Sequence, residues 1–155
     1  MRSNRIPRTF APCGTTSPST VSPTCGSGCV ADTAGEELLY EPGASTLATL
    51  RRPRAGGASA TLRVPCIALD ELVAQCTLDP PGLVKIDVEG AETDVLRGLS
   101  RTITRYRPII VCELHDTNRE VGAAFRGFGY EVTVLGLGVP VEEAPADAHV
   151  LAVPA

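Results

Sequence analysis

The sequence predicts an α/β fold, a mostly parallel sheet with a C-terminal antiparallel strand, and three observations carry that expectation. Two apolar runs, one formed by Leu83, Val84, Ile86 and Val88 and a continuous one from Ile109 to Cys112, have the density of branched residues found in strands covered on both faces. Between them Leu96, Leu99 and Ile103 recur at i, i+3 and i+7, the period of an amphipathic helix. Strand, helix and strand in that order make a βαβ unit with parallel strands and a right-handed crossover.

The remaining elements follow along the chain. Met1 to about Gly28 is dominated by Pro, Ser, Thr and Gly, which bury too little apolar surface to offset chain entropy, so residues 1–28 read as a disordered leader. The ordered domain is expected over 29–155. After the turn-like Asp32 to Gly35, Leu38, Leu39 and Tyr40 read as a short strand closed by Pro42 and Gly43. The glycine-rich, basic stretch Arg51 to Gly57 reads as a solvated loop, with contact to an anionic substrate as the alternative. Thr61 to Val64 reads as a strand. Leu69 to Val73 reads as a short helix whose Asp70 and Glu71 suit the positive end of its dipole.

The first core strand starts after Pro80, Pro81 and Gly82 and ends at Gly90; the helix then runs from about Glu92 to Arg105 and stops before Pro108. Thr117 and Glu120 have the spacing of a capping box, opening a helix with Val121, Phe125 and Phe128 on one face and Gly129 as its stop. Tyr130, Val132 and Val134 alternate with Glu131 and Thr133 as a strand does. A turn at Gly136 to Gly138 separates it from a last strand, His149 to Val153, expected to pair with it in antiparallel fashion.

Composition narrows the function classes. A chain of 155 residues fits one domain, and a net charge of −4 with interspersed acids and bases offers no basic stripe for nucleic acid. No apolar run approaches the roughly 20 residues of a membrane span, and no secretory signal opens the chain, so the expected compartment is cytoplasmic. Cys13, Cys25, Cys29, Cys66, Cys76 and Cys112 follow no repeated spacing and are expected to be reduced thiols. Cys25 and Cys29 lack two further ligands at matching spacing, and no metal site is assigned.

Ligands of open α/β sheets bind beyond the carboxyl ends of parallel strands. The first core strand finishes in Asp87, Glu89 and Glu92, the second in Glu113, His115 and Asp116. If the two strands are neighbours, Asp87, Glu113 and His115 meet at one rim, offering a general base or a set of oxygen and nitrogen ligands for a divalent ion. The plainer alternatives are a Lys85–Asp87 pair along one strand face, a Glu92 that favours the helix dipole, and a surface histidine.

Lys85 to Glu92, KIDVEGAE, followed by Val95-Leu96-Arg97-Gly98, resembles the hallmark of the FkbM family of S-adenosylmethionine-dependent methyltransferases. The resemblance extends in register through Val64 to Leu72, Arg107 to His115, His149 to Ala152 and Ala31 to Tyr40, and so covers roughly Cys29 to the end. It implies a Rossmann-like class I methyltransferase sheet, S-adenosylmethionine as cofactor, and methyl transfer to a hydroxyl of a small molecule, natural product or sugar. It also implies that Asp87 faces the cofactor's methyl end or the acceptor.

Members of that family open with a strand, a glycine-containing loop and a helix that cradle the cofactor, and neither that feature nor the acidic ribose-binding residue is visible here. Gly26-Ser27-Gly28 follows a Pro/Ser/Thr tract rather than a strand, and Gly136-Leu137-Gly138 sits in a late connection. The expectation is therefore the C-terminal part of the domain, truncated and inactive as written. The other reading is a non-catalytic remnant or interaction module that binds a protein at its exposed sheet edge.

Overall fold

Two sheets and four α-helices follow one another in a computed structural model that describes residues 29–42 and 58–155. The leader, Gly26-Ser27-Gly28 and the Arg51 to Gly57 loop lie outside the described residues. The first sheet holds β1 (Cys29–Val30), β2 (Gly35–Pro42) and β3 (Ala58–Ile67) in the order β1-β3-β2, with β1 parallel and β2 antiparallel to β3. Helix α1 (Leu69–Ala74) follows directly.

The second sheet carries the expected core. It is built from β4 (Leu83–Ile86), β5 (Ile109–Glu113), β6 (Tyr130–Val134) and β7 (His149–Pro154), in the order β4-β5-β7-β6. β4 and β5 are parallel, and β7 runs antiparallel to both β5 and β6. Three strands therefore point one way and the last one opposes them, as the sequence predicts.

Strand alternation decides which residues enter the core. Ile86, Ile110, Cys112, Val150 and Ala152 line one face and pack with Val95, Leu96, Leu99, Ile103, Val121 and Phe125 from the helices in a single cluster. Among the described residues the other face is less covered, with Leu83 63% and Ile109 42% exposed. This corrects the expectation of strands covered on both faces: an apolar run shows that a strand tolerates burial, and its neighbours determine whether both faces receive it.

The single helix expected from Glu92 to Arg105 is two, α2 (Glu92–Gly98) and α3 (Ser100–Tyr106), broken at Leu99 with φ −116 and ψ 4. Asp70 explains the break. Its buried carboxylate accepts the backbone N–H groups of Arg101 at 2.8 Å and Thr102 at 2.7 Å, two orphan donors in the first turn of α3. The acid expected to serve its own helix dipole thus caps a helix thirty residues on. Gly98 makes the same junction possible, since a Cβ there would lie 2.0 Å from the carbonyl oxygen of Ala31. The first sheet and the α2–α3 corner meet through backbone that a side chain would separate.

Two further expectations change. Thr117 is the N-cap of α4 (Asn118–Gly127), but its side chain makes no cap bond; it reaches Glu92 instead, so the capping box does not form. Cys66 is disulfide-bonded, correcting the reading of all six cysteines as reduced, whereas Cys76 and Cys112 are free. Which cysteines meet is decided by strand pairing, which spacing along the sequence does not encode.

The amino end of β5 is tied down by Arg107, in the left-handed region at φ 54, whose guanidinium donates to the carbonyls of Phe128, Gly129 and Ala155 and stacks 4.9 Å from the Tyr130 ring. The Tyr130 hydroxyl donates to the carbonyl of Pro108 at 2.8 Å. Gly129, at φ 71, ends α4 as the sequence indicates.

The Asp70 cap and the Gly98 contact make measurable claims. Asp70→Ala is expected to cost about 2 kcal/mol and Asp70→Asn less, because the amide oxygen still accepts one N–H. Gly98→Ala is expected to cost about 1–3 kcal/mol by forcing backbone apart. Urea unfolding of the three variants measures both, and an Asp70→Ala variant as stable as its parent would show that α3 needs no cap from α1.

Candidate active site

The register of β4 on β5 sets Ile86 beside Cys112, so the next residue on each strand, Asp87 and Glu113, reaches the carboxyl rim at the same level. β7 begins at that rim because it runs the other way, which places His149 opposite Glu113. Beyond β5 the ladder continues: the N–H of Leu114 donates to Ala148 at 2.9 Å and that of Asp116 to Ala146 at 3.1 Å. His115 lies between these two bonds and is fixed on the rim by them.

The loop from β4 into α2 is tight. The N–H of Ala91 donates to Val88 at 3.3 Å, with Glu89 at φ 50 and Gly90 at φ 92. Asp116, after His115, is also left-handed at φ 60. A non-glycine residue in this region costs on the order of 1–2 kcal/mol, so the rim is bordered on both strands by strained backbone.

Side chains then converge. His115 Nδ1 lies 2.7 Å from Glu92 Oε1, and its Nε2 lies 3.6 Å from Glu89 Oε1 and 4.0 Å from Glu113 Oε1. Glu113 Oε2 is 3.2 Å from His149 Nε2, and Asp87 Oδ2 is 2.8 Å from Lys85 Nζ. Glu92 has no solvent exposure; Oε1 also accepts the Gly90 N–H at 2.9 Å, and Oε2 accepts the Thr117 hydroxyl at 2.9 Å. Ligand atoms of Asp87, Glu113 and His115 all lie within 4.8 Å of one another, a spacing at which they can ligate one divalent ion.

The electrostatics favour positive charge at the centre. Burial of His115 opposes protonation, but the hydrogen bond to Glu92 and the charges of Glu89, Glu92 and Glu113 outweigh it and raise its pKa. The hydrogen bond from Lys85 holds the Asp87 carboxyl below its usual range, and Lys85 is raised in turn, chiefly by that bond. Burial, with the nearby Glu92, Asp87 and Glu113 charges, pushes the Cys112 thiol up to about 12, so it stays protonated and is no nucleophile.

Asp87, Glu113 and His115 are thus brought together, and the plainer Lys85–Asp87 pair forms as well. The sequence sets Glu92 among the acids that finish the first core strand, with the helix dipole as its plainer use, and Thr117 as a cap; both side chains turn inward to the site. His149 was assigned only to a strand. Its signal is a histidine opening a last strand that runs against the others, which puts it at the carboxyl rim.

Linkage turns the raised His115 pKa into a stability expectation. A histidine whose folded pKa exceeds its unfolded value of about 6.5 contributes stability below that value, and the contribution is lost as pH rises through the folded pKa. Unfolding free energy followed from pH 5 to 9 is expected to fall across that window, and the fall is expected to be shallower in His115→Gln. Parallel curves for the two proteins would show that His115 is not the group responsible.

With the geometry in place, comparison with known proteins gives one family and one structure. The methyltransferase FkbM domain matches residues 19–142. The crystal structure of methyltransferase FkbM from Methylobacillus flagellatus KT is similar at 18% identity and a TM-score of 0.43, over 58% of this chain and 23% of that one. This chain therefore spans less than a quarter of that protein's length. No curated protein matches. Because the domain match takes in well over half of the sequence and contains the whole Lys85 to Gly98 segment, the chain belongs to the FkbM methyltransferase family.

Proposed function

We propose that these residues form the acceptor side of an S-adenosylmethionine-dependent O-methyltransferase acting on a hydroxyl of a small molecule, natural product or sugar. The observation that carries the reading is the convergence of Asp87, Glu113 and His115 at the carboxyl rim of the parallel strands, where ligands of such sheets bind. Family membership supports a methyl donor as cofactor.

The fit to that cofactor is partial. Among the described residues no strand leads through paired glycines into a helix, the arrangement that lets backbone approach a nucleotide; the pair Gly136 and Gly138 follows β6 and leads to a 3₁₀ turn at Val141–Glu143. Asp87, at the end of β4, fits the methyl end. When bound, the cofactor supplies an electrophilic methyl group; the chain's own residues bind the hydroxyl, exclude competing water and ease removal of its proton. Lys85 keeps Asp87 anionic, a hydrogen-bond acceptor for the hydroxyl, while the raised pKa of His115 makes its imidazole the stronger base of the trio.

A second reading, a chain whose sheet binds another protein, is favoured by the less covered face and by β4, which pairs only with β5 among the described residues. In either case no helix among the described residues is long and apolar enough to cross a membrane.

Labelled S-adenosylmethionine with a panel of sugar hydroxyls tests the first reading. Transfer is expected to depend on His115, with His115→Asn slowing it roughly 10²–10⁴-fold at little change in cofactor affinity. Transfer unaffected by that substitution would remove the rim from the chemistry. Calorimetry of the chain with S-adenosylmethionine tests the cofactor side: tight binding would overturn the expectation that the cofactor site is incomplete.

A further inference from the structure

We propose that Glu92 is a positioning residue that keeps the His115 proton on Nδ1, so that the bare Nε2 faces the rim and receives the acceptor's proton. The inference rests on the methyl-transfer reading for the source of that proton; the hold of Glu92 on the imidazole stands on geometry alone. Glu92 is fully buried, which is costly for a carboxylate unless its oxygens are paired. Here Oε1 meets the Gly90 N–H and His115 Nδ1, and Oε2 meets the Thr117 hydroxyl. Both oxygens thus act as acceptors, Oε1 toward the Gly90 N–H and Oε2 toward the Thr117 hydroxyl, and the hydrogen in the 2.7 Å contact is placed on Nδ1.

Nε2 of the neutral ring then carries a lone pair, and its surroundings suit an arriving proton. Glu89 lies 3.6 Å away and Glu113 4.0 Å, with Asp87 beside Glu113. The other basic groups described at the rim are engaged, Lys85 on Asp87 and His149 on the far oxygen of Glu113. A bound methyl donor would supply the methyl carbon and keep the electron pair of its carbon–sulfur bond; the part of this chain is to take the proton of the acceptor's O–H on Nε2 as the oxygen gains the methyl group. The resulting imidazolium is held by Glu92 on one side and by Glu89 and Glu113 on the other. The dipole of α2 does not account for Glu92, since the first turn also carries Asp94.

The test is the tautomer, read on the full, ¹⁵N-labelled chain by long-range ¹H–¹⁵N correlation at a pH where His115 is neutral. The expected signature is a protonated Nδ1 and an unprotonated Nε2, the form that a free histidine side chain disfavours. Glu92→Ala is expected to release the ring to the commoner Nε2–H form; if that variant fails to fold, Glu92→Asp, one methylene short of Nδ1, serves the same purpose. A proton on Nε2 in the parent protein, as a protonated Glu92 donating to Nδ1 would produce, overturns the proposal, as does a variant that keeps the parent's tautomer. Methyl transfer is read separately. Its absence in a chain with the expected tautomer would sink the proposed reaction while leaving the role of Glu92 toward His115 intact.

Discussion

A carboxylate without solvent, that of Glu92, is the constraint on which the rim depends. It belongs to the first turn of α2, yet its partners come from three other places: the turn after β4, the segment after β5 and the N-cap of α4. Losing any one of them would leave a buried polar group short of a partner, a penalty of about 1–3 kcal/mol. Four segments are thereby fixed to one another at their polar ends, just above the apolar cluster that joins them below. The position of His115 is a consequence of that closure, which also explains why Thr117 gives up an ordinary cap bond.

A second junction sets the orientation of α2 and α3. Asp70 draws the amino end of α3 toward α1, and Gly98 lets the chain after β1 approach the end of α2. Arg97 adds an exposed ion pair to Asp32, worth little on its own at 3.9 Å. Because Leu96, Leu99 and Ile103 stay fully buried across the break, the helix changes direction without losing its apolar stripe. A continuous helix would keep the stripe but would carry Arg101 and Thr102 away from the carboxylate that meets them.

Much of this architecture is legible in the sequence because it rests on local periodicity. The βαβ unit, the alternation of β6 and the stop at Gly129 follow from spacing and residue type alone. So does the meeting of Asp87 and Glu113, since two parallel neighbours must end on the same rim. What the sequence hides are choices between equally good local uses of one side chain. Asp70 suits its own helix dipole as well as a distant cap, and Thr117 three residues before Glu120 reads as a box although its hydroxyl turns to Glu92. The exposure of the sheet at Leu83 and the disulfide at Cys66 depend on which elements lie beside them, which residue type does not specify. His149 falls in the same class: its presence at the rim requires that β7 slot between β5 and β6.

The strained backbone at Glu89 and Asp116 fits this division of labour. Both residues adjoin the segments that Glu92 ties together, and neither is glycine, so the left-handed conformation is imposed by the surrounding bonds rather than supplied by the residue. At Glu89 the result is a carboxylate held over the rim within 3.6 Å of His115 Nε2, where a regular strand would carry it on along the same face as Asp87, about 7 Å further out. The turn therefore keeps at the rim a carboxylate that a straight strand would carry past it. That extra charge contributes to the raised pKa of His115, and so the local conformation of one residue after β4 reaches the basicity of an imidazole after β5.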